Sequence, residues 1–201
     1  MYLCNIMKSA RYFAISVLFL LSCSGATLKY THKPYVKITA AKSLVINFKG
    51  AYLNPDSGRV SLSILGTRPD FESFFGMEFD TFFTRSLKIE LDSVENWRID
   101  NNSPLLLKFV VDRFILNYRI DDIGEQANGI RYEYVFDCDI EGRGLLKTSD
   151  GFVEIPVRGK RHSRWFLYLW GAWQPTLQDE LDIMFSQIAE ELVKGVSARI
   201  R

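Results

Sequence analysis

The pattern of apolar and polar residues along the chain predicts strands first and then a helix. Residues 36–48 and 59–65 are typical of strands, and residues 54–58 between them have turn chemistry, which together predict a β-hairpin. Apolar positions at spacings of three and four then predict a helix with one buried face, which begins after Asp70 as its N-cap. We expect the phenylalanines of this face to pack in the core, with a lipid-binding groove as the alternative: Phe71, Phe74, Phe75, Phe79, Phe82 and Phe83.

Period-two alternation predicts four further strands, over residues 87–91, 105–120, 130–141 and 152–157. In the second of them the apolar positions change from odd to even near Asp112 and Arg113, which indicates a β-bulge. Cys138 falls on the buried face of the third, where a thiol is usually inert. Pro156 indicates that the last strand lies at an edge of the sheet or ends there.

The C-terminal part predicts a long amphipathic helix. Thr176 is its candidate N-cap, and the expected solvent face carries Asp182, Glu190, Glu191 and Lys194. The apolar stripe comprises Leu177, Leu181, Met184, Phe185, Ile188, Leu192 and Val196. Together these elements predict an α+β fold, in which an antiparallel sheet of five to seven strands is covered on one face by two helices.

The N-terminal residues have the organisation of a secretory signal. Lys8 and Arg11 provide a positive region without acidic residues, and residues 12–21 are a nearly unbroken apolar run. This run is too short for a membrane-spanning helix, which needs roughly 20 apolar residues. The run ends in Leu20-Leu21-Ser22-Cys23, which resembles the lipobox of bacterial lipoproteins.

The lipobox resemblance implies that Cys23 is the first residue of the mature protein. In that family the cysteine thiol carries a diacylglyceryl group, the preceding peptide is removed, and the new N-terminus is usually acylated. Two or more acyl chains anchor a protein durably in a membrane. The chain would then divide into a signal peptide (1–22), a lipid-anchored tether (23–35) and a single domain (36–201). In enteric bacterial lipoproteins, aspartate after the lipidated cysteine favours retention in the inner membrane, whereas this chain has Ser24 there. The resemblance therefore implies the periplasmic face of the outer membrane, with the inner membrane and the cell surface as alternatives.

Composition limits the chemistry that the chain can perform. The formal net charge is +1, which gives no general attraction to nucleic acid. The histidines are His32, expected to be solvated in the tether, and His162, so a histidine-based triad or zinc site is hard to assemble. No motif of a serine hydrolase, a zinc protease or a phosphate loop is present. We therefore expect no enzymatic activity, no metal and no cofactor.

Two charged groups on the predicted strands are weaker candidates for ligand binding. Asp112 and Arg113 flank the predicted bulge, and Asp137, Asp139 and Glu141 form an acidic row. A divalent cation on this row is the alternative to simple solvation, but the segment lacks the loop that supplies oxygen ligands in calcium sites. Solvated charges and ion pairs are the simpler interpretation of both groups.

One stretch in the last third of the chain combines basic and aromatic residues. Cations beside indole and phenol rings are typical of a membrane interface, so the stretch is a candidate contact with a membrane or a partner. The interpretation that we favour is nevertheless that the aromatic run is a core strand and the basic residues are its solvated beginning. The candidate contact residues are Arg158, Lys160, Arg161, Arg164, Trp165, Trp170 and Trp173.

In its overall plan the chain resembles small envelope lipoproteins. Examples are the lipopolysaccharide-assembly lipoprotein, the YajG-like lipoproteins and the auxiliary lipoproteins of ABC transport systems. The resemblance implies a non-catalytic, lipid-anchored periplasmic accessory protein that binds a protein partner or an envelope component, and no nucleic acid. The alternatives are a lipid-binding or lipid-transfer module and, less favoured, a carboxylate-dependent carbohydrate-active enzyme.

Overall fold

The computed structural model describes residues 27–28, 30–126, 129–149, 151–167 and 173–200, with side chains in these ranges outside 121–132 and 166–175. In chain order the elements are β1 (Thr39–Leu53), β2 (Arg59–Ile64), α1 (Phe71–Phe75), α2 (Phe79–Asp92), β3 (Glu95–Ile99), β4 (Leu106–Gln126), β5 (Gly129–Thr148), β6 (Gly151–Leu167) and α3 (Trp173–Arg199). Within these ranges the strands form one mixed, mostly antiparallel sheet with the helices on one face. The predicted α+β class is confirmed.

The N-terminal strands run parallel to β4, whereas β4, β5 and β6 form an antiparallel meander. The strand order is β3–β1–β4–β5–β6, and β2 also pairs with β4. β1 pairs with residues 106–111 of β4 and β2 with residues 113–118, so the two strands follow one another along the same edge of β4. The predicted β1–β2 hairpin is therefore wrong.

The connection between β1 and β2 is tied to a bulge in β4. The register of β4 against β5 shifts between Val111 and Arg113, which confirms the predicted β-bulge. Asn54 accepts a hydrogen bond from the backbone N–H of Gly58 (2.8 Å) and donates its Nδ2 to Asp112 Oδ1 at the bulge (2.6 Å). Because the turn is held at this point of β4, the chain resumes in the same direction instead of reversing.

The predicted helix after Asp70 is two helices separated by a glycine. Asp70 Oδ2 accepts from the backbone N–H of Ser73 at 3.2 Å, which confirms the predicted N-cap. Gly76 follows α1 with a φ of 67°, the left-handed conformation that commonly ends a helix. α2 then starts at Phe79 and carries the remaining phenylalanines.

The strand predicted over residues 87–91 is wrong, because these residues belong to α2. Leu87 and Leu91 are fully buried on the same helix face as Phe83. A spacing of four residues places two side chains on one face in a helix and also in a strand, so alternation over a short run does not distinguish them. The packing of α2 against β1 decides in favour of the helix.

Phenylalanine rings fill the space between the helices and the sheet. The ring centroids of Phe75 and Phe82 are 4.4 Å apart, and Phe83 lies 5.3 Å from Phe114 of β4 and 5.2 Å from Phe185 of α3. The predicted phenylalanines therefore pack in the core. The apolar stripe predicted for α3 is also confirmed, since each of its residues is fully buried. In the part of the chain that the structure describes, no helix combines the length and hydropathy needed to cross a membrane.

Two further residues confirm the predicted layout of the sheet. Pro156 lies in β6, which is the edge strand next to β5. Cys138 is buried on the helix-covered face of β5, and its burial raises the pKa of the thiol well above the ordinary value. A thiol that stays protonated and inaccessible is unreactive, as expected.

Close packing of α3 on β5 and β6 depends on three glycines. A Cβ atom added to Gly159 would lie 2.7 Å from Ile188 Cδ1, and one added to Gly144 would lie 2.7 Å from Leu192 Cδ2. On the helix side, a Cβ at Gly195 would lie 2.2 Å from Ile155 Cγ2. The absent side chains let the helix approach the sheet directly.

We expect Gly195→Ala to destabilise the protein by about 1–3 kcal/mol, the usual cost of overpacking a core. A loss of stability would be informative, because replacing glycine with alanine in a helix interior otherwise stabilises the helix by roughly 1 kcal/mol. Urea denaturation followed by circular dichroism measures the change. Lys194→Ala is the control, since Lys194 is exposed and should change stability by less than about 0.5 kcal/mol. A stabilised Gly195→Ala variant would contradict the close packing.

Candidate functional site

Residues 27–28 and 30–35, which we call the N-terminal segment, pack against the helices instead of forming a tether. The backbone N–H of Leu28 donates to Phe74 O at the end of α1 (2.7 Å). The side chains of Leu28, Tyr30 and His32 are buried, and their described neighbours are exposed. The predicted tether is therefore wrong from Leu28 onward. This alternation is a sequence signal for packing that the tether interpretation overlooks.

His32 lies between two buried carboxylates, and its predicted solvation is wrong. Its side chain is 1% exposed, with Nε2 at 2.8 Å from Glu90 Oε1 of α2. Its Nδ1 lies 2.8 Å from Asp182 Oδ1 of α3, a residue expected on the solvent face of that helix. Asp182 is buried because the N-terminal segment covers it.

Two hydroxyl groups complete what we call the His32 cluster: Tyr30, His32, Glu90, Asp182 and Ser186. Tyr30 Oη donates to Asp182 Oδ1 at 2.7 Å, and Ser186 Oγ donates to Glu90 Oε1 at 2.6 Å. All five residues are buried, so the cluster presents no open face to a substrate. It joins the N-terminal segment to both long helices.

An open groove lies beside the His32 cluster, between β6 and the first turns of α3. Its volume is about 640 Å³, and we call it the β6–α3 groove. It begins after Gly159 in β6, where the side chains of the following β6 residues separate the strand from α3. Its walls include Tyr35, Arg161, Arg164, Trp165, Asp179 and Ile183.

Arg161 and Glu180 form an ion pair inside the β6–α3 groove. Arg161 Nε donates to Glu180 Oε2, and its Nη2 donates to Glu180 Oε1 at 3.2 Å. Ser163 Oγ donates to the same carboxylate at 2.8 Å. The side chains of Arg161 and Glu180 are 26% and 12% exposed, so the pair is largely removed from solvent. It links β6 to α3 where the helix no longer touches the sheet directly.

The predicted basic patch is divided between the two faces of β6. Arg161 and Trp165 point to the helix side, whereas Arg158 and Lys160 point to the open face of the sheet. Arg164 also starts from the open face, but β6 is the edge strand and the Arg164 side chain lines the groove there. The structure therefore brings Arg161, Arg164 and Trp165 to one groove but not Arg158 and Lys160. A single basic surface does not form.

The acidic row of β5 meets basic residues of both neighbouring strands. Arg113 Nη2 lies 2.6 Å from Asp139 Oδ2 and 3.1 Å from Glu141 Oε1. Asp137 Oδ1 lies 2.5 Å from His162 Nδ1 of β6. Among the described residues no group of three or more His, Cys, Asp or Glu side chains has the arrangement of a metal site. These contacts agree with the ion-pair interpretation of the row and of Arg113.

Only some of the aromatic candidates for a membrane or partner contact lie among the residues that the structure describes. Trp165 is partly buried against the core, and its ring centroid lies 6.2 Å from that of Tyr118. This contact favours the core-strand interpretation for Trp165. Trp170, the side chain of Trp173 and the lipobox cysteine Cys23 lie outside the described residues.

Sequence reasoning missed Tyr35 and Glu180 as groove residues. Tyr35 belongs to the predicted tether, yet it forms a wall of the β6–α3 groove with 59% of its surface exposed. Glu180 lies between apolar positions of α3, and its partner Arg161 is on another element. No local sequence pattern predicts the Arg161–Glu180 contact, because β6 and α3 are brought together only by the tertiary fold.

Comparisons with known proteins find similarity only to solved structures. No protein-family model and no curated protein match the chain. A Xanthomonas campestris protein of the family model DUF330 is 12% identical with a TM-score of 0.44, over 87% of this chain and 95% of that one. A hypothetical protein from Chlamydia trachomatis is 10% identical with a TM-score of 0.36, over 79% and 97%. At these TM-scores the similarities carry no argument about function.

We expect Glu180→Ala to destabilise the protein by about 1–3 kcal/mol, because it leaves the Arg161 guanidinium largely buried without its acceptor. Urea denaturation provides the measurement. Arg158→Ala is the matched control: it removes a β6 arginine whose side chain is 81% exposed and 3.5 Å from Glu141, and such surface pairs contribute about 0–1 kcal/mol. Equal losses in the two variants would show that the groove ion pair is no more than a surface contact.

Proposed function

We propose that the protein is a non-catalytic, lipid-anchored accessory protein of the bacterial cell envelope, which binds a partner protein at the β6–α3 groove. Placement in the envelope depends on the lipobox resemblance of Leu20-Leu21-Ser22-Cys23. We place the anchor on the periplasmic face of the outer membrane. The observation that supports partner binding is the open groove with Tyr35 exposed on its wall.

The packed N-terminal segment supports a role close to the membrane. Leu28 is held at the end of α1 only five positions after Cys23. Five extended residues span at most about 18 Å. A domain anchored through Cys23 would therefore lie near the bilayer surface, with the N-terminal segment and α1 on the side toward the anchor.

The chemistry of the β6–α3 groove fits a protein partner with an apolar group beside an acidic one. Tyr35 on the groove wall is 59% exposed, so its ring is accessible to a partner. Arg164 is half-exposed, and its nearest carboxylate, that of Glu133, is 3.9 Å away, so it can still attract an acidic group. Tyrosine, tryptophan and arginine are the residues that most often dominate protein interfaces.

The helix phenylalanines give less support to a lipid-transfer function. The lipid-binding alternative depends on these phenylalanines being accessible to a lipid. In the structure they contact one another and Phe114 of the sheet. An acyl chain would have to displace this packing. The groove beside β6 is therefore the better candidate for binding.

Acylation of Cys23 is tested by intact-mass analysis of the protein extracted from membranes. We expect a mass that lacks residues 1–22 and includes a diacylglyceryl group, with a further acyl chain on the new N-terminus. The Cys23→Ser variant, which removes only the thiol, should lose the lipid mass and the membrane association. A bare thiol with the leader still attached would refute the anchoring.

Partner binding is tested by photo-crosslinking in intact cells, with a benzophenone amino acid at Tyr35. Phe152 is the control position: it is 64% exposed but lies at the opposite end of β6, 13 residues and about 40 Å from Trp165. We expect a protein adduct of defined mass from position 35 and none from position 152. Arg164→Glu should reduce this adduct about tenfold, equivalent to roughly 1.4 kcal/mol, whereas Arg158→Glu outside the groove should not. Adducts with lipid alone would favour the lipid-binding alternative.

A further inference from the structure

The geometry of the His32 cluster favours a doubly protonated imidazole. Carboxylate oxygens only accept hydrogen bonds, and one faces each ring nitrogen of His32: Glu90 Oε1 at Nε2 and Asp182 Oδ1 at Nδ1, both at 2.8 Å. A neutral imidazole has one nitrogen without hydrogen: at Nε2 its lone pair would face Glu90, and at Nδ1 it could accept from Tyr30 Oη (2.7 Å) only if that hydroxyl no longer donated to Asp182. Only the imidazolium donates in both directions.

The groups around His32 come from each element that contacts it. Tyr30 is on its own segment, Glu90 on α2 and Asp182 on α3, and the tyrosine oxygen lies 2.7 Å from His32 Nδ1. Ser86 and Ser186 add neutral hydroxyls. The surroundings of His32 thus contain two carboxylates and no other cation among the described residues.

Loss of the proton would leave two carboxylates buried without a counter-charge. The second oxygen of Glu90, Oε2, is already buried with no hydrogen-bond partner among the described residues. Uncompensated buried charge is strongly destabilising. The buried contacts of the N-terminal segment with Glu90 and Asp182 therefore depend on the charge of one side chain that is part of that segment.

The pKa of His32 is consistent with this geometry. Burial lowers it, but hydrogen bonds to Asp182 and Glu90 outweigh burial, and the net pKa lies above 6.5. A raised pKa in the folded state means that the stabilisation is complete below pH 6.5 and is lost as the pH rises through the folded value. Tyr30, whose pKa is raised well above 10 by burial and by Asp182, keeps its proton throughout this range.

We propose that His32 is a proton-dependent latch, which holds the N-terminal segment between α2 and α3 and releases it, with the rest of the domain still folded, when the imidazolium is deprotonated. The released segment would expose the aromatic surface that Tyr30 covers, where its ring lies 5.0 Å from Phe82 and 6.4 Å from Phe185. In the closed state the backbone N–H of Tyr35 donates to Ser186 Oγ of the His32 cluster. Release of the segment would break this bond, and Tyr35 would then leave the wall of the β6–α3 groove.

The biological consequence of the latch depends on the proposed anchoring at Cys23. With the latch closed, the domain is held within about 18 Å of the anchor. With the segment released as far as Ile38, whose carbonyl accepts from Glu95 N, the chain from Cys23 could extend to about 50 Å. The latch would then control how far the domain reaches from the membrane.

The first test is the wild-type full-length protein in detergent, studied by hydrogen exchange and by NMR of its histidines. We expect His32 to titrate above pH 6.5. Amides in residues 30–37 should lose protection, after correction for intrinsic exchange, over the same pH interval, while α2 stays protected. A His32 pKa at or below 6.5, or protection that does not change as His32 titrates, would overturn the proposal.

The second test uses His32→Gln, which can donate to only one side. At pH 6 we expect exchange of residues 30–37 to increase about tenfold or more, with α2 and the sheet unchanged and the pH dependence abolished. His162→Gln is the matched control, because His162 also pairs with an aspartate but is 51% exposed. Unchanged exchange in His32→Gln would refute the latch, and so would loss of protection throughout the domain, since the segment would then not be separable.

These measurements do not depend on acylation. If Cys23 proves to be unmodified, the anchoring fails but the exchange experiment still decides whether the N-terminal segment is released. If the exchange experiment fails while Cys23 carries lipid, the protein is an anchored domain with a permanently attached N-terminal segment.

Discussion

The structure depends on the close packing of α3 against β5 and β6. Gly144, Gly159 and Gly195 remove the side chains that would hold the helix away from the sheet, so the apolar stripe of α3 is fully buried. The close contact between α3 and β6 ends after Gly159, where Arg161 and the following side chains of β6 lie between the strand and the helix. One helix therefore closes the core along most of its length and leaves the β6–α3 groove open at its N-terminal end.

Burial gives the same residue types different roles in this protein. His162 and His32 each contact an aspartate, but His162 is half-exposed among the ion pairs of the open sheet face, where solvent screens the interaction. His32 is enclosed by two carboxylates and a tyrosine, so its protonation bears directly on the attachment of the N-terminal segment. The arginines of β6 divide in the same way, because successive residues of a strand point to opposite faces.

The groove and the His32 cluster are physically connected. Tyr35 lines the groove, and its backbone N–H donates to Ser186 Oγ, which in turn donates to Glu90 of the cluster. The N-terminal segment thus follows the predicted anchor, contributes the histidine of the cluster and ends at the wall of the groove. The proposed membrane attachment and partner binding involve one continuous stretch of 13 residues, from Cys23 to Tyr35.

The local sequence pattern was sufficient to predict the features that depend on residues close to one another in the sequence. The α+β class, the stripe of α3, the Asp70 cap, the bulge before Arg113 and the edge position of Pro156 all follow from periodicity or backbone chemistry. It failed where the answer depended on distant partners: β1 and β2 pair with β4 instead of with each other, and residues 87–91 continue a helix. The lipobox resemblance at Cys23 depends on sequence alone and stays a prediction. The His32 cluster and the groove were decided only by the tertiary structure, because their members come from segments up to about 150 positions apart and acquire their chemistry from burial, which no local pattern specifies.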